Sequence, residues 1–309
     1  MRVAIAGGTG FVGSYLVEAL LGAGHEVSLL VRPGSESRAP HAPGCVTVAG
    51  DVNSPETLDR LVAGCDAAIY NVGILREFPA KGITFAGLQR DGARRLIEAA
   101  RKAGTDRFLL MSANGVKSDG TPYQRTKFEA EQALEASGLE GTIFRPSVIF
   151  GDPRGRDEFA SQLCREMICP PLPAVAFHNG LLPTHHSVEM SPVSVEDVAG
   201  AFAAALENPA TYGRVFTLGG PEVLTFRQIL ERIAAAVGRK KPILPMPIGV
   251  MRLAATLLDR IPQFPVTRDQ LTMLSEGNAA APDEIASLLG RAPAAFDREA
   301  LGYLECGRN

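Results

Sequence analysis

The chain has 309 residues, 46% of them apolar, which is enough for one large domain or a large domain with a smaller appendage, and disorder is excluded as its default state. Its 31 Lys and Arg against 34 Asp and Glu leave a formal charge of −3, which offers no long-range attraction to a phosphate backbone, so nucleic acid is not an expected partner. The five cysteines, Cys45, Cys65, Cys164, Cys169 and Cys306, are odd in number and have no CxxC spacing, so they read as reduced thiols.

An apolar strand over Val3–Ala6 starts within two residues of Met1, which reads as a cytoplasmic protein without a charged leader. Further strands are predicted over Glu26–Val31, Ala67–Val72, Arg107–Ser112 and Gly141–Phe144. They alternate with helices near Phe11–Gly22, Pro55–Ala63 and Thr84–Ala103, which end at Gly24, Gly64 and Gly104. This alternation is the signature of βα units in a parallel sheet. Residues 151–191 are rich in proline and histidine and read as irregular structure, with one helix near Glu158–Met167. A Ser-x-x-Asp pattern at Ser194–Asp197 opens another helix; Arg214–Leu218 reads as a strand, and Thr225 with Gln228 caps the helix after it. The expected fold is α/β, a Rossmann-type doubly wound parallel sheet with a smaller, mostly helical C-terminal region. A soft boundary near Gly151 divides it into residues 1–150 and 151–309, with 192–220 returning to the sheet.

The run Gly7-Gly8-Thr9-Gly10-Phe11-Val12-Gly13 follows the first strand and opens the first helix, the context in which a GxxGxxG loop cradles a pyrophosphate. Gly7 permits the tight turn, Gly10 the close approach of backbone to phosphate, and Gly13 the packing of helix on strand. Amides exposed at the helix start attract the anion. Glycine-rich turns also occur merely as connections, and the position at the start of a βαβ unit favours the phosphate reading. At the end of the second strand, where an acidic residue would accept from the ribose hydroxyls of NAD, the chain has Arg32. A guanidinium there pairs with the 2′-phosphate of NADP, assisted by Arg38 or Ser35, so NADP is expected over NAD; a solvated arginine is the alternative. Asp51, in Gly50-Asp51-Val52 after the third apolar run, faces the adenine on one reading and only shapes a turn on the other.

Thr121-Pro122-Tyr123-Gln124 starts a helix by a capping box and a first-turn proline. Tyr123 and Lys127 then lie four residues apart on one face, so the ammonium is expected near the phenol, lowering its pKa toward the range of a general acid/base. A surface tyrosine and a solvated lysine at helical spacing are the alternative. Ser112, at the end of a preceding strand, joins the pair, because strand ends on one edge of such a sheet converge on the ligand.

Together the glycine loop, Tyr123 with Lys127, and Arg145-Pro146-Ser147 resemble the extended and atypical short-chain dehydrogenase/reductase superfamily, over almost the whole chain. Residues 71–77, Met111 to Ala113, and 265–271 resemble more narrowly the branch containing the NADPH-binding accessory subunit of mitochondrial complex I and its bacterial relatives. The resemblance implies that Gly7, Thr9, Gly10, Phe11, Val12, Arg32, Asp51, Val52, Val72 and Gly73 border the dinucleotide. It further implies that Tyr123 and Lys127 border the nicotinamide ribose and that Pro146 to Val148 lie near the carboxamide. Two departures weaken a nucleotide-sugar assignment: Gln89 stands where the sugar epimerases have Asn before Gly92-Ala93, and Ser112 precedes Tyr123 by only eleven positions, with Asn114 as a substitute for its role.

Two functions follow as expectations. One is hydride transfer between NADP(H) and a carbonyl or alcohol carbon of a small molecule, with Ser112, Tyr123 and Lys127 as the catalytic set. The other is an NADPH-binding structural or redox-sensing protein with a quinone-related or peripheral membrane partner at the inner face of the membrane. For the second, Val250, Leu253, Ala254, Leu257 and Leu258 offer an apolar helical face, although such a face is more often core. A homodimer is an expectation from the resemblance. No role is assigned to His178, His185 or His186, and no ligand spacing for a metal is found.

Overall fold

The computed structural model describes residues 1–180, 187–250 and 268–306. Its first strand, β1 (Arg2–Ala6), is an apolar run whose last four side chains are all buried, as a central strand covered on both faces requires. After it come α1 (Phe11–Gly22), β2 (Glu26–Val31), β3 (Cys45–Ala49), α2 (Pro55–Val62), β4 (Ala67–Tyr70), α3 (Gly92–Ala103), β5 (Arg107–Met111), α4 (Pro122–Glu135) and β6 (Glu140–Pro146). The chain continues through β7 (Ile149–Phe150), α5 (Phe159–Leu163), β8 (Ala174–His178), β9 (Glu189–Met190), β10 (Val193–Ser194), α6 (Val195–Leu206), β11 (Arg214–Leu218), β12 (Leu224–Thr225), α7 (Phe226–Ala236) and β13 (Ile243–Pro247). Helices over Arg268–Glu276 and Asp283–Leu289 complete the described elements.

Seven strands form one sheet in the order β11-β6-β5-β4-β1-β2-β3. The pairs from β6 to β3 are all parallel, with Val3 beside Val27 on one side and Ala67 on the other. The order of the strands reverses between β1 and β4. Ligands of such sheets bind at that reversal, outside the carboxyl ends of the strands.

The chain divides into two compact units. The first holds Met1–Pro146, Glu196–Thr217 and Ser287–Gly290. One face of its sheet is covered by α2 and α3, through Leu58, Leu61, Leu96 and Ala100. Arg107 is buried in it and donates to the carbonyls of Ala205, Leu206 and Glu140 and to the Thr211 hydroxyl, so this guanidinium pins α6 to β5. Burial lowers its pKa to about 10, and the four accepting oxygens offset the cost of desolvation. The second unit holds Ser147–Val195, Leu218–Ala286 and Arg291–Asn309, and has its own core of Phe150, Ile168, Phe177, Phe226, Ile229 and Leu230 among others.

Three sequence expectations are corrected here. The helix expected over Thr84–Ala103 is interrupted: residues Ala86–Asp91 form a π-helix, and α3 begins only at Gly92. The Tyr70 hydroxyl donates to the Leu88 carbonyl inside that π segment, a tertiary contact that no periodicity reveals. Cys169 and Cys306, expected as reduced thiols, are joined in a disulfide across 137 residues of sequence. The irregular 151–191 region contains β8, which pairs in parallel with β13. Of the apolar face expected around Ile248–Ile261, residues 251–261 lie outside the described residues, as do His185 and His186. Among the described residues, no helix is long and apolar enough to cross a membrane.

Candidate functional site

The glycine loop runs from the carboxyl end of β1 into α1. Gly7 has φ +95°, a left-handed conformation open to glycine, and a Cβ there would stand 2.6 Å from the Asn71 carbonyl oxygen. A Cβ on Gly13 would stand 2.1 Å from the Gly7 oxygen and 2.6 Å from Gly8 Cα, so only glycine lets the first turn of α1 pack on the loop. Thr9, Phe11 and Val12 are partly exposed and Gly10 is exposed, which leaves the loop accessible. The start of α1 has no side-chain cap and no acidic residue in its first turn. Its first amides are therefore free for an anion, and the aligned peptide dipoles favour one.

Arg32 follows β2. It is exposed and makes no ion pair among the described residues, while its carbonyl accepts from Ser35 N at 2.9 Å. Ser35 in turn accepts from Arg38 N at 3.1 Å, so Arg32, Ser35 and Arg38 belong to one turn after β2. Asp51 follows β3, and its Oδ1 accepts from Asn53 N at 2.9 Å and Asn53 Nδ2 at 2.6 Å; this is the turn-shaping role. Val52 is buried. Val72 and Gly73 follow β4, where Asn71 N donates to the Ala6 carbonyl and ties the β4 loop to the end of β1.

Lys127 is buried, and its ammonium donates to the Met111 carbonyl at 2.8 Å, at the carboxyl end of β5. A Cβ on Gly73 would lie 3.5 Å from Lys127 Nζ, so the ammonium sits between the loop after β4 and the end of β5. Burial pulls its pKa down to about 8, against the raising effect of Glu131 one turn further along α4. Glu131 is itself buried and paired to Arg145 of β6 through Nε at 2.9 Å. The residue after Met111 is Ser112, whose amide donates to the Phe144 carbonyl at 2.7 Å. Its hydroxyl is buried and finds no hydrogen-bond partner. An unpaired buried hydroxyl costs about 1–3 kcal/mol, and a ligand oxygen would recover it.

Tyr123 stands at the start of α4, where the Thr121–Gln124 capping box fixes the helix phase, and packs edge-on against Phe85 at 5.8 Å between ring centres. Its titration differs from expectation. Burial alone governs it and pushes the phenol up to about 12, with no pull toward phenolate from Lys127. The hydrogen bond that Lys127 makes goes to the backbone of β5 instead.

The first unit thus brings Gly7, Thr9, Gly10, Phe11, Val12, Gly13, Arg32, Asp51, Val72, Gly73 and Ser112 to the carboxyl ends of β1 to β5. Pro146 ends β6, and its carbonyl accepts from Asn114 N at 2.9 Å. Val148 belongs to the second unit and packs against that unit's core. Three features of the site lie outside the sequence reading. They are the Met111 carbonyl as the seat of Lys127, the Glu131–Arg145 pair, and the hydrogen bonds of Gln89, which accepts from Thr126 Oγ1 at 2.9 Å and donates to the Ile74 carbonyl at 2.9 Å. Helical spacing alone places Glu131 one turn beyond Lys127, whereas the partners of Gln89 depend on the π-helix over Ala86–Asp91. The arrangement fits a dinucleotide: a cradle that Cβ atoms would fill, free helix amides for a diphosphate, and a buried ammonium held at Met111, the residue before the unpaired Ser112 hydroxyl.

A family model described as NAD(P)H-binding matches residues 7–163. The ceramide reductase of Caulobacter vibrioides is 29% identical over 263 residues, which cover 83% of this chain and 77% of that protein. The mitochondrial NADH-ubiquinone oxidoreductase 40 kDa subunit of Neurospora crassa is 26% identical over 85% of this chain and 67% of its own length. Among solved structures, an NADPH-dependent quinone oxidoreductase from Escherichia coli complexed with NADPH has a TM-score of 0.74 at 17% identity, covering 98% of this chain and 99% of that one, a likeness of fold.

Proposed function

The chain belongs to the NAD(P)H-binding family, and from that premise we propose that it is an NADP(H)-dependent oxidoreductase of the extended short-chain dehydrogenase/reductase type, acting on a carbonyl or alcohol carbon of a small molecule. The observation that carries this reading is the buried Lys127 ammonium at the Met111 carbonyl, one residue from the unpaired Ser112 hydroxyl. When bound, the dinucleotide supplies or accepts the hydride. Gly7 to Gly13 and the start of α1 hold its diphosphate, and Arg32, with Arg38 near it in sequence, favours the phosphorylated ribose. Lys127 hydrogen-bonds the other ribose, Ser112 donates to the substrate oxygen, and Tyr123 passes the proton to or from that oxygen. A phenol near 12 is a poor acid/base at neutral pH, so this role requires positive charge nearby when the site is filled. The test is single-turnover oxidation of NADPH with quinones, ketones and ceramide-like ketones. Turnover that is lost in Tyr123→Phe, with NADPH still bound, supports the assignment; equal rates in both proteins refute it.

A second reading is favoured by the raised Tyr123 value and by the similarity to the Neurospora crassa subunit: a protein that binds NADPH as a structural or redox-sensing ligand without turnover. In that case NADPH raises the melting temperature, no substrate oxidises it, and the protein co-sediments with anionic vesicles or a respiratory complex.

A further inference from the structure

We propose that Cys164, Cys169 and Cys306 form a thiol–disulfide exchange site in the second unit, in which Cys164 displaces Cys306 from Cys169 and so exposes Cys306 to modification by small disulfides. The proposal is independent of the dinucleotide site. It starts from geometry: the free Cys164 sulfur lies 3.6 Å from Cys169 Sγ, which is bonded to Cys306, and the three sulfurs all lie within 4.8 Å of one another. A thiol in contact with a disulfide sulfur is placed as the attacking group of an exchange.

The local fold explains why the third thiol is there. In a regular α-helix, residues five apart point in different directions, but Cys164–Ile168 form a π-helix, and Cys169 N donates to the Cys164 carbonyl at 2.8 Å. That widened turn stacks Cys169 over Cys164. Short π segments occur frequently at functional sites. Nor does the unit need a staple. Its core of buried Phe150, Ile168, Phe177, Phe226, Ile229 and Leu230 is of ordinary domain kind, whereas structural disulfides are chiefly used by small domains that lack such a core.

Access suits the exchange. Cys164 is buried, while Cys169 and Cys306 are partly exposed, so the attacking thiol is shielded and the leaving sulfur meets solvent. Burial pushes the Cys164 thiol up, and the charge of Arg239, which donates to the Cys169 carbonyl at 2.5 Å, offsets only part of that rise. The step balances within the protein. The Cys164 thiolate forms a bond to Cys169 Sγ as the Cys169–Cys306 bond breaks, and Cys306 leaves as a thiolate that takes up the proton Cys164 lost. No net oxidation occurs. A crosslink spanning 137 residues is thereby exchanged for one spanning five, which frees the residues near Cys306 from the π segment. The Cys306 thiolate then attacks one sulfur of a small disulfide such as oxidised glutathione, forming a mixed disulfide and releasing one reduced thiol.

The experiment uses the full chain without reductant, incubated with oxidised glutathione, trapped with maleimide at acid pH, and mapped by mass spectrometry of unreduced peptides. The expected result is two populations. One carries the Cys169–Cys306 link; the other carries a Cys164–Cys169 link with glutathione or maleimide on Cys306. In Cys164→Ser, labelling of Cys306 drops roughly tenfold or more and only the Cys169–Cys306 link remains. Labelling of Cys306 that is equal in both proteins overturns the proposal, as does labelling of all three cysteines with no link. Should the variant fail to fold, the wild-type map alone decides, since absence of any Cys164–Cys169 peptide also overturns it.

Discussion

The starts of α1 and α4 are both turned to the ligand side of the first unit, yet they are built in opposite ways. At α4, Thr121 and Gln124 satisfy each other's backbone amides in a capping box, so the helix end is closed and it offers only side chains, Tyr123 and Lys127. At α1 nothing caps the end and no acidic residue neutralises it, so what it offers is its own amides. On the proposed function, the backbone does the holding in one region, and side chains are left to do the chemistry in the other. A substitution that breaks the comparison should therefore affect turnover at α4 and affinity at α1.

The largest effect is expected at α4. Tyr123→Phe keeps the ring against Phe85 and removes only the hydroxyl, so turnover should drop by about 10²–10⁴ while calorimetry finds unchanged NADPH affinity. A loss of affinity without loss of turnover would mean that the tyrosine holds the ligand. Next comes Gly13→Ala at α1, whose Cβ would stand 2.1 Å from the Gly7 oxygen. Overpacking of about 1–3 kcal/mol should appear as roughly 5- to 150-fold weaker NADPH binding, with the rate at saturating NADPH nearly kept. Unchanged affinity would show that the loop does not carry the diphosphate.

These two regions also mark what the sequence disclosed. The glycine loop, both capping boxes and the alternation of strands and helices in the first unit follow from local chemistry: glycine where a Cβ cannot fit, Thr and Gln where amides need partners, apolar runs where both faces are covered. The Tyr123 value did not follow. Helical spacing places Lys127 on the right face, but whether its ammonium turns to the phenol or to the Met111 carbonyl is decided by β5, far away in sequence. The π-helix at Ala86–Asp91 and the three-cysteine cluster escaped for the same reason: Tyr70 and Cys306 reach them from 18 and 137 residues away. The edge strand β3 was seen only as an apolar run, because two of its five residues are partly buried and the rest exposed, a weak signal against which to set a boundary.

Between the two regions lies cofactor choice, and the effect expected there is smaller. Arg32 is exposed, so solvent screens its pairing with a phosphate to about 1 kcal/mol. Arg32→Ala should therefore weaken NADPH binding by roughly fivefold and leave NADH binding unchanged. Equal losses for both dinucleotides would remove the guanidinium from the 2′-phosphate and leave it as a solvated side chain.

The last effect is read in stability, and it sharpens the cost of closing α4 over charged side chains. Burial holds the Lys127 pKa at about 8 in the fold, below the 10.5 of a free lysine, so between those values the unfolded chain binds more protons than the folded one. Stability contributed by this group therefore rises with pH across that window, because deprotonation removes the charge that burial penalises. Tyr123 has the opposite sign: raised from 10.0 to about 12, it contributes stability that is complete below 10.0 and lost as pH climbs through 12. Urea midpoints of wild type and Lys127→Met, compared from neutrality to the lysine's free value, separate the two, since the buried thiols and Tyr123 are common to both proteins. The difference between them should favour the methionine variant at neutral pH and shrink as pH rises. A gap that is constant across the window would mean that Lys127 keeps its ordinary pKa in the fold, and that the ammonium at the Met111 carbonyl is not paying a desolvation cost that a bound ribose could offset.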